Sequence, residues 1–153
     1  MSLERLLQIA QKGNASSWGM PSPRKKPNRS GQGSEHSEQA ALIRWCRENE
    51  TRYPALRFLF AIPSGDYRSQ SVANRLKLEG VKPGVPDLFL PLGRSIYHGL
   101  FVEMKRADLK PVRGGRGGVS DDQARWRLWL LEAGYRHAVC YGFEEARAED
   151  RLP

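Results

Sequence analysis

Cysteine is scarce in this sequence, and histidine is not arranged to take its place. Only two cysteines, Cys46 and Cys140, occur among the 153 residues, and neither lies in a CxxC pair. We expect both to be buried, reduced thiols. Because neither sulfur nor histidine is available in the pattern that a closed zinc site requires, a structural zinc site is not expected.

Long apolar runs are also absent. No stretch approaches the roughly 18 consecutive apolar residues that indicate a membrane-spanning helix. The N-terminal segment MSLERLLQIAQKG has no basic region followed by a long apolar run. We therefore expect neither a signal peptide nor a membrane span, and the expected location is the cytoplasm.

Positive charge, by contrast, is abundant. The formal net charge is +8, on a chain whose 153 residues are enough for one domain with a normal core. The apolar share is only 39%, because the ends of the chain are polar. A small, strongly basic domain favours a polyanionic partner, with nucleic acid as the first candidate and an acidic membrane surface as the second.

The N-terminal part of the chain differs in composition from the rest. Residues 2–12 have the apolar spacing of a short amphipathic helix, and the residues that follow are rich in glycine, proline, serine and basic side chains. We predict a basic, flexible arm over residues 1–33 and a folded domain over residues 34–153. Lys25 and Lys26 either contact phosphate or belong to a solvated tail, and both interpretations stand.

Helical and strand patterns alternate along the folded domain. Apolar spacing, caps and turn residues predict helices at 35–49, 69–79 and 120–134 and strands at 57–63, 87–90, 99–105 and 137–142. A short helix follows the last strand. The order α-β-α-β-β-α-β-α predicts an α/β fold with a small central mixed sheet flanked by helices.

The segment FVEMK, residues 101–105, places two opposite charges within a strand pattern. Glu103 and Lys105 are two residues apart, so they lie on the same face of that strand. If the strand pairs antiparallel with DLFL around a turn near Ser95, Asp87 opposes Glu103. In that register the opposite face is apolar throughout, with Leu88, Leu90, Leu100, Val102 and Met104. A slip of one residue would mix the two faces.

Two opposed carboxylates need a proton, a cation or bulk water, because Cβ atoms in such a pair lie roughly 4.5–5.5 Å apart. Paired oxygen ligands with open positions suit Mg²⁺ or Mn²⁺. A lysine beside the metal can hold a phosphate oxygen or orient water, as in metal-assisted phosphodiester hydrolysis. The alternative is an Asp–Glu–Lys cluster that balances its own charge on a solvated face of the sheet.

The sequence PGVPD followed by EMK resembles the motif of the PD-(D/E)XK nuclease superfamily. A longer ordered set of segments is similar to the VRR-NUC domain: EHSEQAALIRWC, YPALRFLFAIPSG, RLKLEGVKPGVPDLFLP, YHGLFVEMK, QARWRLWLLEAGY and AVCYGFEEA. The resemblance extends over about residues 34–150 and is greatest to the short, single-domain phage or prophage form. It implies a restriction-endonuclease-like α/β fold.

The resemblance also implies roles for individual residues. Asp87 and Glu103 correspond to the metal ligands of the family, and Lys105 corresponds to its catalytic lysine. The backbone carbonyl of Met104 is expected as a further metal ligand. These residues are the ones that the strand geometry brings together.

Glu38 corresponds to the glutamate of the first helix, so the resemblance places it among the catalytic and metal-binding residues. It shares a helical stripe with Leu42 and Trp45, and we expect its carboxylate to face inward, where a charge needs a partner. The alternative is a glutamate at the end of the stripe that reaches water. Glu35 is a less favoured substitute for it.

Gln123 corresponds to the glutamine that follows the ExK strand in this family, near the active site. The same residue completes a capping-box pattern with Ser120, and the two roles are compatible. Three arginines are expected to contact DNA: Arg68 in the loop after the first strand, and Arg113 and Arg116 in the segment VRGGRGG. The alternative for VRGGRGG is a disordered insertion without function.

These implications predict a Mg²⁺- or Mn²⁺-dependent DNA endonuclease. Short VRR-NUC proteins resemble dimeric resolvases of four-way junctions, so we expect a homodimer that acts on branched DNA in phage replication, recombination or repair. A phage-encoded protein would act in the host cytoplasm. Two alternatives stay open: another nuclease role in the superfamily, such as restriction-type or flap cleavage, and a non-catalytic basic DNA-binding module.

Overall fold

Residues 33–63 and 69–148 are described by a computed structural model, and they contain one mixed sheet of four strands. In spatial order the strands are β1 (Phe60–Ala61), β2 (Leu88–Leu90), β3 (Leu100–Lys105) and β4 (Arg136–Tyr141). Neighbours β1, β2 and β3 pair antiparallel, whereas β4 runs parallel to β3. A small mixed sheet with flanking helices is the predicted fold class, which is confirmed.

The helices within the described residues are α1 (Glu35–Asn49), α2 (Gln70–Leu78), α3 (Asp121–Glu132) and the short α4 (Phe143–Ala146). Helix α1 begins where the Ser34 hydroxyl accepts a hydrogen bond from the backbone of Ser37, at 3.1 Å. Helix α3 ends before Gly134, whose φ of 84° is the left-handed conformation that glycine adopts most readily. Both boundaries lie close to those that the sequence predicts.

The predicted register of β2 and β3 is confirmed. Leu88 lies opposite Val102, and both are at most 1% exposed. Leu42 and Cys46 of α1 belong to the same buried cluster as these strand residues. Each fully buried aliphatic side chain contributes roughly 1.5–3 kcal/mol relative to exposure, so this apolar face opposes any slip in register.

The first predicted strand was wrong over most of its length. Residues 54–58 form a 3₁₀ helix, and only Phe60 and Ala61 pair with β2. Pro54 lies at the start of that helix, where its fixed φ and missing N–H fit a tight turn. The turn buries Leu56, which is 2% exposed, so an alternating apolar pattern arises here without a strand.

Some predictions fall outside the described residues, namely the helix over 2–12, the rest of the arm through residue 32, and Arg68. A second 3₁₀ helix, Ala107–Leu109, was not predicted. None of the described helices is long and apolar enough to cross a membrane.

Candidate active site

The acidic pair and the lysine meet at one end of the sheet. Glu103 and Lys105 project from β3 and are only 1% and 4% exposed. The Lys105 ammonium lies 2.8 Å from Oε1 of Glu103. Asp87 directly precedes β2, and its Oδ2 accepts a hydrogen bond of 2.7 Å from the backbone N–H of Met104. That bond fastens Asp87 beside Glu103, as the strand register predicts.

The environment of Glu103 disfavours the ionised form of its carboxyl group. Burial, and then the neighbouring charge of Asp87, raise its pKa from 4.5 to about 8. Its Oε1 accepts from Lys105 and from the side-chain amide of Gln123. Its Oε2 is buried and has no hydrogen-bond partner in the part of the chain that the structure describes. A buried carboxylate oxygen without a donor is suited to a cation.

The donor set fits a divalent metal that retains water or takes phosphate oxygens. Among the described residues, no three His, Cys, Asp or Glu side chains converge in a metal-holding group. Asp87 and Glu103 supply two carboxylates, and the Met104 carbonyl remains a predicted third ligand. Mg²⁺ is commonly bound by one or two carboxylates while substrate phosphates and water complete the octahedron, so this set suits it better than a closed protein cage.

Lys105 is held as a cation. Its ammonium lies between Glu103 and Glu35, whose Oε1 is 3.5 Å away. Burial alone lowers the pKa of Lys105, but the charges of Glu103, Glu35 and Asp87 outweigh it, so the pKa is raised above 10.5. A charged ammonium can stabilise phosphate or orient water, whereas it has no free electron pair for accepting a proton.

The two glutamates at the start of α1 have different partners. Oε2 of Glu38 accepts a hydrogen bond of 2.8 Å from the backbone N–H of Phe143, the first residue of α4. Glu35, one turn earlier, makes the ion pair with Lys105. The structure therefore places Glu35 at the lysine, while the metal-binding role of Glu38 stays a prediction. Spacing alone does not separate the two, because residues three apart share one side of a helix.

Gln123 joins the site to the start of α3. Its backbone N–H donates to the Ser120 hydroxyl at 3.2 Å, and its side-chain oxygen accepts from the Ser120 N–H at 2.9 Å. Its amide nitrogen donates to Oε1 of Glu103. One side chain thus completes the predicted capping box and contacts the buried carboxylate, while its catalytic role stays a prediction.

Two of the five predicted DNA-binding residues lie in the part of the chain that the structure describes. Arg113 and Arg116 are exposed on the loop between the Ala107–Leu109 turn and α3, and Arg116 forms an ion pair with Asp121. Lys25, Lys26 and Arg68 lie outside the described residues. The structure thus locates only the two arginines of VRGGRGG among the residues predicted to contact DNA.

Tyr141 is a further residue at this end of the sheet that the sequence did not single out. It is the β4 partner of Lys105, and a parallel pair in register directs both side chains to the same face. From the sequence, a tyrosine at the end of an apolar strand is expected to belong to the core. Only its pairing with Lys105 in the sheet shows that Tyr141 lies at the candidate active site.

A mixed sheet that brings an aspartate beside a Glu-x-Lys strand defines a nuclease fold of the PD-(D/E)XK class. The model of the VRR-NUC domain family matches residues 4–144, so the chain belongs to this family of nuclease domains. The match begins within the segment predicted to be an arm. A solved structure described as a VRR_NUC domain protein is similar at 24% identity with a TM-score of 0.59, over 77% of this chain and 84% of that chain. That likeness shows the fold, and no curated protein gives a significant match.

Proposed function

We propose that this nuclease domain is a Mg²⁺- or Mn²⁺-dependent DNA endonuclease. The observation that carries the proposal is the buried Oε2 of Glu103, which has no hydrogen-bond partner among the described residues and lies in a site with Asp87 and Lys105. A cluster that only balanced its own charge would leave no such oxygen. Burial of both Glu103 and Lys105 also argues against the solvated-cluster alternative.

The residues divide the chemical work. Asp87 and Glu103 would hold the metal, assisted by the Met104 carbonyl and by Glu38, whose Oε1 is the oxygen not engaged by Phe143. A bound metal of this kind polarises a phosphodiester and lowers the pKa of a coordinated water. Lys105 supplies a fixed positive charge for the phosphate or for the attacking water.

Gln123 and Glu35 act through their neighbours. Gln123 donates to Glu103 Oε1 and so aims Oε2 away from the lysine. Glu35 shares the Lys105 ammonium with Glu103. These contacts hold the side chains of Glu103 and Lys105 in place before substrate binds. Less rotamer freedom then has to be lost during binding, so the site is preorganised.

Binding to DNA is supported by charge. The formal net charge of +8 attracts the phosphate backbone, and we propose that Arg113 and Arg116 contact it directly. Lys25, Lys26 and Arg68 are proposed contacts on the basis of the sequence. Recognition of branched DNA by a homodimer in phage replication, recombination or repair is proposed from the family resemblance, since a two-fold dimer directs two active sites to two opposed strands. A cytoplasmic location is proposed with it.

A cleavage assay tests this function. End-labelled four-way junction, splayed arm and linear duplex are incubated with the purified protein and Mg²⁺, Mn²⁺ or EDTA, beside a Lys105→Ala variant. Paired symmetric nicks in the junction, lost with EDTA and in the variant, are the expected result. Equal cutting of all three substrates would retain the nuclease and reject junction selectivity, whereas cutting of the splayed arm alone would favour flap cleavage.

The binding-module alternative gives a different result in the same assay. A non-catalytic module would bind the junction and leave every strand intact in both Mg²⁺ and Mn²⁺. It would also show no saturable Mn²⁺ site that depends on Asp87. The ion pair of Glu103 with Lys105, and the bond of Asp87 to the backbone of Met104 between them, speak for catalysis.

A further inference from the structure

The loop that carries Gly117 and Gly118 lies against the catalytic end of the sheet. A Cβ atom added to Gly117 would overlap the hydroxyl oxygen of Tyr141 and lie 2.6 Å from its Cζ. A Cβ atom on Gly118 would lie 3.7 Å from Cδ of Lys105. Gly117 therefore packs directly against the Tyr141 phenol, and the next residue, Gly118, faces the stem of Lys105, the neighbour of Tyr141 in the parallel ladder.

Tyr141 is held in place by its backbone as well as by this loop. It lies opposite Lys105 in the parallel ladder, and its N–H donates to Oε2 of Glu145 at 3.2 Å. The ring is only half-buried. Burial, and then the charge of Glu145, raise the pKa of the phenol above 10, so the hydroxyl keeps its proton at neutral pH. The site thus has a partly exposed tyrosine, with a neutral hydroxyl, next to its charged lysine in the sheet.

We propose that the Tyr141 hydroxyl is a further catalytic residue, which donates a hydrogen bond to a phosphate oxygen of the strand being cleaved. Gly117 is the positioning residue for it, because any side chain there would displace the hydroxyl. The proposal rests on the nuclease function proposed above. A neutral donor beside an ammonium suits a phosphate, whose non-bridging oxygens accept several hydrogen bonds at once.

Removal of one hydroxyl tests the catalytic role. Tyr141→Phe keeps the ring and its packing, so a residue with a purely structural role would tolerate it. We expect the cleavage rate constant at saturating DNA to fall about tenfold, the effect of losing roughly 1.4 kcal/mol of hydrogen bonding in the transition state. The DNA dissociation constant in Ca²⁺ and the melting temperature should stay at their wild-type values. Tyr135→Phe, in the aromatic cluster with Phe89 and Phe101, is the matched control and should cleave normally.

A pair of glycine variants tests the positioning role. Gly114 and Gly117 have similar positive φ angles, 60° and 55°, but a Cβ on Gly114 meets nothing within 4 Å. Both Gly114→Ala and Gly117→Ala strain the backbone, and only Gly117→Ala strikes Tyr141. We expect cleavage to fall at least tenfold in Gly117→Ala and to stay within twofold of wild type in Gly114→Ala.

The outcomes separate this inference from the function on which it rests. Wild-type cleavage that is lost in Lys105→Ala but retained in Tyr141→Phe would overturn the role of the hydroxyl and leave the nuclease intact. Equal loss in the two glycine variants would overturn the positioning role, because backbone strain would then account for both. Failure of the wild-type protein to cut any substrate would overturn the nuclease and this inference together.

Discussion

Glu103 shows how one buried carboxylate links stability to metal binding. In the metal-free folded chain the pKa of Glu103 is about 8, whereas its ordinary value is 4.5. Between pH 4.5 and about 8 the folded chain therefore retains a proton on Glu103 that the unfolded chain has released. Because the folded state then binds more protons, its stability falls as pH rises from 4.5 to about 8. A metal at Oε2 would replace that proton and reverse the loss.

Glu103→Gln is therefore expected to stabilise the metal-free protein at pH 8. The new side chain keeps an oxygen for Lys105 and Gln123 but has no charge to bury. We expect a melting temperature higher by about 3 °C, corresponding to about 1 kcal/mol. Saturating Mn²⁺ should raise the melting temperature of the wild type and not that of the variant. Calorimetry in EDTA and in Mn²⁺ measures both, with the exposed Glu132→Gln as control. A variant that melts lower in EDTA would contradict the argument.

His137 is a second buried titratable group, and it lies on β4 opposite Phe101. Both of its ring nitrogens are buried without a hydrogen-bond partner among the described residues. Burial, and then the charge of Arg127, lower its pKa from 6.5 to about 4. The unfolded chain therefore binds a proton here before the folded chain does, so stability present above pH 6.5 is lost as pH falls toward 4.

His137→Phe should remove this part of the acid sensitivity. Phenylalanine fills a similar volume and does not titrate, so the variant should lose less stability between pH 6.5 and 4. The interval between the two pKa values corresponds to at most about 3 kcal/mol. Urea unfolding at a series of pH values gives the measurement, and the exposed His98→Asn serves as control. Parallel pH curves for wild type and His137→Phe would contradict the lowered pKa of His137 in the folded protein.

At the scale of the element, helix α1 carries two glutamates with separable tasks. Glu38 accepts from the first N–H of α4, whereas Glu35 pairs with Lys105 from a side chain that is 46% exposed. Glu38→Ala should lower the free energy of unfolding by about 1 kcal/mol and weaken Mn²⁺ binding. Glu35→Ala should leave both within error and slow cleavage severalfold, because the lysine loses one of its two anchors.

Denaturant melts, Mn²⁺ titration and single-turnover cleavage on the two variants test this division. Glu48, exposed on the same helix, provides the control variant Glu48→Ala. Wild-type stability in Glu38→Ala would mean that the bond to Phe143 contributes nothing. Loss of Mn²⁺ affinity in Glu35→Ala would instead make Glu35 the metal ligand of this helix.

The same elements show what the sequence could and could not predict. Helix α1 has the predicted bounds, because Ser34 is a capping residue and Leu42 and Cys46 recur at helical spacing. The register of β2 and β3 followed from matching two apolar faces. Residues 57–59 were misassigned because a 3₁₀ turn that buries Leu56 gives a similar local pattern. The choice between Glu35 and Glu38, and the place of Tyr141, depend on contacts across elements that no local pattern contains.

At the scale of the whole molecule, the excess of positive charge should make DNA binding strongly dependent on salt. Each basic side chain that neutralises a phosphate releases counterions, which steepens the fall of log K with log salt by about 0.9 per contact. With a net charge of +8, several contacts of this kind are expected. The strength of each one depends on whether its side chain is free to leave the protein surface.

Arg113 and Arg116 provide a matched pair for measuring this. Both are exposed on the same loop, but Arg116 already pairs with Asp121. We expect Arg113→Ala to reduce the salt slope by about 0.9 and Arg116→Ala to reduce it by less than half as much, because Arg116 is already engaged by Asp121 and neutralises a phosphate less completely. Fluorescence anisotropy of a labelled junction in EDTA, across a range of KCl concentrations, gives the slopes. An unchanged slope in Arg113→Ala would remove this loop from the DNA interface and assign the electrostatic contacts to other basic residues of the chain.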